Sequence, residues 1–241
     1  ETLETIGETD LDGIIPAAWN AHPHRVPARR TTYQLGLRIG PRVHMDIFAL
    51  PDIGPARILA SVPLPGVTEL HDFFATEHHL IVVLPPLYAS PLNVVRRGSF
   101  VEALQWQPDE GTEILVIPID APEKMRRIRT EPFFYWHSAN AYESGDGKSI
   151  TLDLVRYPDF PAVLSWIDNA SVGKPGRPPN AGLWRGEIDL IRGQARWEER
   201  WPQSCEFPMV NPARLARPQR HTWLAAHSGN EAASGWWNRI A

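Results

Sequence analysis

One cysteine, Cys205, is the whole thiol content of this 241-residue chain, so no internal disulfide can form. That suits a reducing compartment, and a cytoplasmic location is the expectation. Long apolar runs are also missing: none approaches the roughly 18 residues that span a bilayer as a helix. Positive charge is not in excess. The formal net charge is −4 and no basic stripe is present, so nothing points to nucleic acid as a partner. Helical periodicity is nearly absent, and only residues 99–106 read as two turns. No WD-type repeat is visible, so periodicity alone does not choose among all-β architectures.

What is abundant is proline, 24 of 241, together with 10 tryptophans. Proline at about twice its usual share of roughly 5% breaks helices and central ladders alike, which favours short strands joined by rigid turns. The apolar and charged shares, 43% and 22%, are those of a globular domain with a real core. Residues 32–39 and 43–50 alternate about Gly40-Pro41, a hairpin pattern. Leu80-Ile81-Val82-Val83-Leu84 is apolar throughout and reads as a strand buried on both faces, stopped by Pro85-Pro86. Further strands are expected at 57–62, 113–119, 126–129, 133–142, 149–157, 183–191, 195–201 and 221–226. Residues 171–180, rich in Gly and Pro, read as an exposed loop. So many short strands predict an all-β sandwich, barrel or propeller in a single domain over 1–241. The chain starts at Glu1 without an initiator methionine, and 235–241 read as the opening of a strand. It is expected to be a piece of a longer protein.

Of nine histidines, three stand in informative surroundings. His22 lies in Ala21-His22-Pro23-His24, where Pro23 biases His22 towards an extended backbone. His24 reads as a turn residue. His71, in Leu70-His71-Asp72-Phe73-Phe74, stands just before the buried strand, whereas His78 and His79 read as the polar turn that starts it. His137 is embedded in Phe133-Phe134-Tyr135-Trp136-His137-Ser138, an aromatic strand in which a polar ring needs a partner. Gaps of 49 and 66 residues exclude a zinc finger or an H-E-x-x-H helix. Any shared site must be assembled by the fold, and three separate structural histidines remain open as the other reading.

In order, Ala21-His22-Pro23-His24, then Leu70-His71-Asp72-Phe73 with Thr76, then Phe134-Tyr135-Trp136-His137 through Asn140-Ala141-Tyr142-Glu143 resemble the carotenoid cleavage oxygenases. That family includes apocarotenoid and stilbene-cleaving dioxygenases and the retinoid isomerase. Leu152-Asp153-Leu154-Val155-Arg156-Tyr157 and Cys205-Glu206-Phe207-Pro208 are similar as well, and Glu1-Thr2-Leu3-Glu4-Thr5-Ile6 resembles the strand before the family's first histidine. The resemblance implies part of a seven-bladed β-propeller, lacking its N- and C-terminal blades, with Fe(II) on its axis beneath a dome of loops. His22, His71 and His137 match three of four histidine ligands, and Glu206 matches a carboxylate that orients a ligand imidazole. The fourth histidine is expected outside this chain, with His227-Ser228-Gly229 read as an ordinary turn.

The implied activity is cleavage of a C=C bond by O₂ in a carotenoid, apocarotenoid or stilbene, giving two carbonyl products. Phe73, Phe134 and Trp136, with Phe133, are candidates to line an apolar substrate channel, and residues 84–92 are expected in the loops over the metal. The substrate is then an apolar polyene or stilbene, and peripheral contact with a membrane is part of the same expectation. Two other classes stay open: a non-catalytic β-propeller that binds partners, and a zinc-dependent hydrolase using the three histidines. Within the family, isomerisation or loss of activity are further variants. This fragment alone is expected to be incomplete and inactive.

Overall fold

The computed structural model describes residues 3–5, 7–15, 18–174, 176, 178–227 and 237–241. Strands dominate. The first sheet contains β1 (Ala18–Trp19), β2 (His24–Val26), β3 (Thr31–Arg38), β4 (Val43–Pro51) and β5 (Arg57–Leu64). Its order is β1-β3-β4-β5, with β2 also pairing β3. Chain order continues with β6 (Val67–Thr68), β7 (Phe74–Ala75), β8 (His79–Leu84), β9 (Leu87–Ala89), α1 (Pro91–Arg97), α2 (Phe100–Ala103), β10 (Gln105–Trp106), β11 (Thr112–Pro118) and β12 (Arg126–Thr130). Of these, β12-β11-β8-β7 form a four-stranded sheet and β10-β9-β6 a small three-stranded one. A further four-stranded sheet, β13-β14-β15-β16, is built from β13 (Phe134–Glu143), β14 (Ser149–Tyr157), β15 (Gly182–Asp189) and β16 (Gln194–Trp201), with α3 (Phe160–Ser171) between its second and third strands. Last come β17 (Cys205–Met209), β18 (Trp223–Ala226) and β19 (Arg239–Ile240) in one three-stranded sheet. Among the described residues every strand pairing is antiparallel.

The apolar run of β8 is buried on both faces because it stands between two cores. Leu80, Val82 and Leu84 pack with Leu35, Met45 and Ile47 of the first sheet, while Ile81 and Val83 pack with Tyr135, Leu152 and Leu154 of the β13-β14-β15-β16 sheet. The period of two along a strand sends alternate side chains to opposite faces. The β13–β14 pair repeats the arrangement: Leu152 and Leu154 face that second core, and Phe134, Val155 and Tyr157 face a third. Successive sheets are therefore packed face to face, each sharing a core with the next.

The long strands fall where the alternating pattern puts them, and the differences have local causes. Residues 99–106 make one helical turn, α2, before entering β10. The helix α3 was not anticipated. It starts at Asp159, whose side chain accepts from the Ala162 N–H at 2.9 Å. Pro161 stands in its first turn, and Phe160, Val163 and Trp166 are buried against the third core. Its helix signal is short, and the Gly- and Pro-rich stretch after it masks it. Residues 84–92 are not one loop: β8 ends at Leu84, β9 spans Leu87–Ala89, and α1 starts at Pro91. Leu3–Thr5 carry no regular structure, so no strand precedes His22 there, and Glu1, Thr2 and Ile6 lie outside the described residues. Ser228 and Gly229 of the expected turn after His227, residues 230–236 at the C-terminus, and Pro175 and Arg177 of the 171–180 loop are outside them too.

Candidate metal centre

Two connections and one strand deliver the three histidines to one place. His22 lies between β1 and β2, with its extended backbone followed by Pro23, and His71 lies between β6 and β7. Where β6 meets β9, Gly66 approaches so closely that a Cβ there would stand 2.6 Å from the Ala89 carbonyl oxygen. Only glycine permits that approach, which fixes the start of the segment carrying His71. His137 sits within β13 where the register to β14 shifts between Tyr135 and Ser138. Such a bulge re-aims side chains that a regular strand would send to alternate faces.

The ring nitrogens converge. His22 Nε2 and His71 Nε2 are 3.1 Å apart, and His71 Nε2 and His137 Nε2 are 3.2 Å apart. One ligand atom from each of the three lies within 4.8 Å of the others. Imidazole nitrogens about 2.0–2.1 Å from a shared ion would stand about 2.8–3.4 Å from one another at bond angles of about 90–109°. Burial, followed by the neighbouring imidazoles, lowers the His22 pKa against the opposing pull of Asp72, which favours the neutral form that ligates a metal. The donor set therefore fits a divalent transition metal, and imidazoles suit iron as well as zinc, copper or nickel.

Behind His137 stands Glu206, on β17 and 1% exposed. Its Oε2 accepts from His137 Nδ1 at 2.6 Å and from the Phe207 N–H at 2.6 Å, while Oε1 accepts from the Tyr157 hydroxyl at 2.7 Å. A proton held on Nδ1 leaves the Nε2 lone pair facing the other two rings. Burial works against a charge on His137, yet the Glu206 hydrogen bond and charge outweigh it and raise its pKa. Phe207 adopts φ +50°, a left-handed conformation rare for a bulky residue, and its ring lies 5.0 Å from that of His137. A strained aromatic over the His137 ring is what a shaped site displays, and sequence spacing gave no sign of it.

Two cavities flank the centre. One, about 410 Å³, is walled by Leu104, Trp136, Phe160, Trp166, Ile167, Phe207 and Trp237, with His71, His137 and Glu206 at its floor. The other, about 380 Å³, is walled by Trp19, Leu37, Ile39, Val67, Leu70, Val94 and Phe100. They meet at Glu69 and His71, which border both, and Glu69 Oε1 stands 3.7 Å from His71 Nδ1. Trp136 therefore lies on a cavity wall. Phe73, Phe133 and Phe134 lie on neither wall: all three are fully buried. Phe73 packs edge-on against His24 at 4.6 Å, Phe133 against Trp197, and Phe134 against Phe160. Their place in the core follows from strand alternation, which sends only some members of an aromatic run to one face. Of the cavity aromatics that sequence reasoning missed, Phe160 and Trp166 come from the unanticipated α3, and Phe207 comes from β17.

His24 is not merely a turn residue. It opens β2, and its Nε2 donates to buried Asp72 Oδ1 at 2.7 Å. His79, at the start of β8, meets Glu143 Oε1 at 3.0 Å through Nδ1, and the His78 N–H donates to the same oxygen at 3.0 Å. His227 follows β18 and is separate from the three-histidine cluster.

Known proteins are similar to this chain in sequence and in fold. The chain is 30% identical over 244 residues to apocarotenoid-15,15'-oxygenase of Synechocystis sp., which covers 95% of this chain and 48% of that protein. It is 32% identical over 260 residues to carotenoid isomerooxygenase of Galleria mellonella, 98% of this chain and 50% of that one. Carotenoid cleavage oxygenase of Mycobacterium tuberculosis is 24% identical over 270 residues, 95% of this chain and 52% of that protein. The chain thus spans about half the length of these relatives. Among solved structures, a variant of the Synechocystis apocarotenoid oxygenase superposes with a TM-score of 0.76 at 25% identity, covering 96% of this chain and 49% of that one. The cobalt-substituted form of the same protein shares the fold at a TM-score of 0.75 and 24% identity, over 95% of this chain and 49% of that one. The profile of the RPE65 family, retinal pigment epithelial membrane protein, matches residues 1–241. The chain belongs to the family of RPE65 and the carotenoid cleavage oxygenases.

Proposed function

We propose that this chain forms part of a seven-bladed β-propeller in which His22, His71 and His137 hold Fe(II), with a further histidine supplied from sequence beyond these 241 residues. The protein then uses O₂ to cleave a C=C bond of a carotenoid, apocarotenoid or stilbene. The observation that carries this reading is the convergence of three imidazole nitrogens, 3.1 and 3.2 Å apart, beside an aromatic-walled cavity. The propeller part of the reading draws on consecutive antiparallel sheets that each share a core with the next.

In the overall reaction the alkene C=C bond and the O–O bond break, and each alkene carbon leaves as a carbonyl holding one oxygen atom. Bound Fe(II) would supply the activation of O₂, which does not attack a closed-shell alkene unaided. The residues of this chain do the rest. Glu206 keeps the His137 proton on Nδ1 and offsets charge in a ligand set made only of neutral rings. Trp136, Phe160, Trp166 and Phe207 offer a long apolar molecule a surface that excludes water. Membrane contact belongs to the same reading. Leu92 and Val95 of α1 are exposed beside Arg96 and Arg97, while Val94 of that helix borders a cavity. No helix among the described residues is long and apolar enough to cross a membrane. A cytoplasmic location, from which the protein would meet polyenes at a membrane surface, is part of the same proposal.

His137→Ala in the full-length protein is expected to abolish bound iron and the conversion of an apocarotenoid to two carbonyl products. Stoichiometric iron with normal cleavage in that variant would sink the assignment. Three imidazoles also match an open zinc site of a hydrolase. Turnover that survives under anaerobic conditions would favour that second reading.

A further inference from the structure

Each of the three clustered histidines has a near neighbour in sequence, and one buried side chain binds all three neighbours. Asp72 follows His71, and its carboxylate is 3% exposed. Oδ1 accepts from His24 Nε2 at 2.7 Å, two residues after His22, and from the Phe73 N–H at 2.7 Å, two residues after His71. Oδ2 accepts from the Ser138 N–H at 2.7 Å, one residue after His137 and within the bulged part of β13. The main chain of Asp72 is tied to the same strand, since the Tyr135 hydroxyl donates to its carbonyl at 2.6 Å.

We propose that Asp72 is a positioning residue for the metal centre, holding the three ligand-bearing segments in one register without touching the ligand rings. The inference rests on the metal reading above. Burying a carboxylate is costly unless its oxygens are bonded, and charge-assisted bonds at this length are the strong ones. Asp72 borders neither cavity, so the chemistry proposed above gives its buried charge no other task. The β-bulge turns the Ser138 N–H to Asp72, and the same bulge aims His137. Imidazoles from two connections and one strand then keep their mutual distances before any ion arrives, which is the preorganisation that a metal site of this kind requires.

The test uses full-length protein, purified metal-free and titrated with cobalt(II) alone, reading both the binding constant and the visible absorption spectrum. Asp72→Asn keeps the shape but turns one acceptor into a donor facing Ser138. It is expected to weaken cobalt binding about 10–100-fold and to shift the absorption bands, as loss of an outer partner of a ligand set does. His24→Gln retains an N–H that can reach Asp72 and is expected to stay within about threefold of the parent, whereas His24→Leu falls several-fold below it. If Asp72→Asn does not fold, His24→Leu carries the test, because it leaves the carboxylate with two N–H donors. Parent-like affinity and spectrum in Asp72→Asn, or in His24→Leu where that variant stands in, overturn the inference alone. A parent that takes up no cobalt overturns the metal reading and this inference with it.

Discussion

At the scale of single residues, the centre depends on where protons and carboxylates sit. Glu206 holds the Phe207 N–H and His137 Nδ1 on one carboxylate oxygen, and the second of these bonds fixes which nitrogen of the His137 ring is free. Glu206→Gln preserves volume and one acceptor but removes the charge. The expected outcome is a protein that folds as the parent does but loses iron to a chelator about 10–100-fold more readily. Equal retention in the two proteins would show that the carboxylate has no part in holding the metal. Much of this was legible in residue order: His22, His71, His137 and Glu206 stand in recognisable surroundings. Asp72 and His24 were not singled out, because a buried acid reads as a turn residue until its partners from other strands are known. Phe207 was equally silent, since a positive φ at a non-glycine leaves no mark on sequence pattern.

At the scale of elements, the strands that carry the centre are tied to one another by side chains at their ends. Glu143 closes β13 onto the β7–β8 pair by accepting from the Thr76 hydroxyl, the His78 N–H and His79 Nδ1. Burial opposes its charge, but those bonds win and hold its pKa at about 2, below the ordinary 4.5. A depressed acid stabilises the fold above its unfolded pKa, and the contribution is lost as pH falls from about 4.5 towards 2. Glu143→Gln should therefore lower unfolding free energy at pH 7 by on the order of 2 kcal/mol, with the gap between variant and parent narrowing by pH 3. Chemical denaturation at the two pH values checks it, and a gap that does not change with pH contradicts the linkage. Within β8, Ile81 is fully buried in the core shared with β13 and β14. Ile81→Ala should cost about 2–5 kcal/mol, read from the same denaturation curves. A loss under about 1 kcal/mol would mean that the two sheets do not share a close-packed core. Such long, doubly buried strands were readable from the apolar run alone. Two-residue strands such as β1, β6 and β7 were not, because they have no period to read, and tertiary packing rather than propensity forms them.

At the scale of the whole molecule, sheets packed core to core bring loops and strands 49 and 66 residues apart in sequence to within hydrogen-bond distance of one another. Two apolar cavities of about 380 and 410 Å³ meet at the same point, bordered by Glu69 and His71. Composition pointed to an all-β chain, and the motif order pointed to the family. The cavity wall was less readable, since Phe73, Phe133 and Phe134 turn inward while Phe160 and Trp166 arrive on a helix. The central claim is that His22, His71 and His137 share one iron ion. Its most direct test is elemental analysis of the full-length protein and its single alanine variants, with exposed His221→Ala as the control. The account predicts about one iron per chain in the parent and the control, and little in His22→Ala, His71→Ala or His137→Ala. Iron absent from the parent, or undiminished in those three variants, would contradict it.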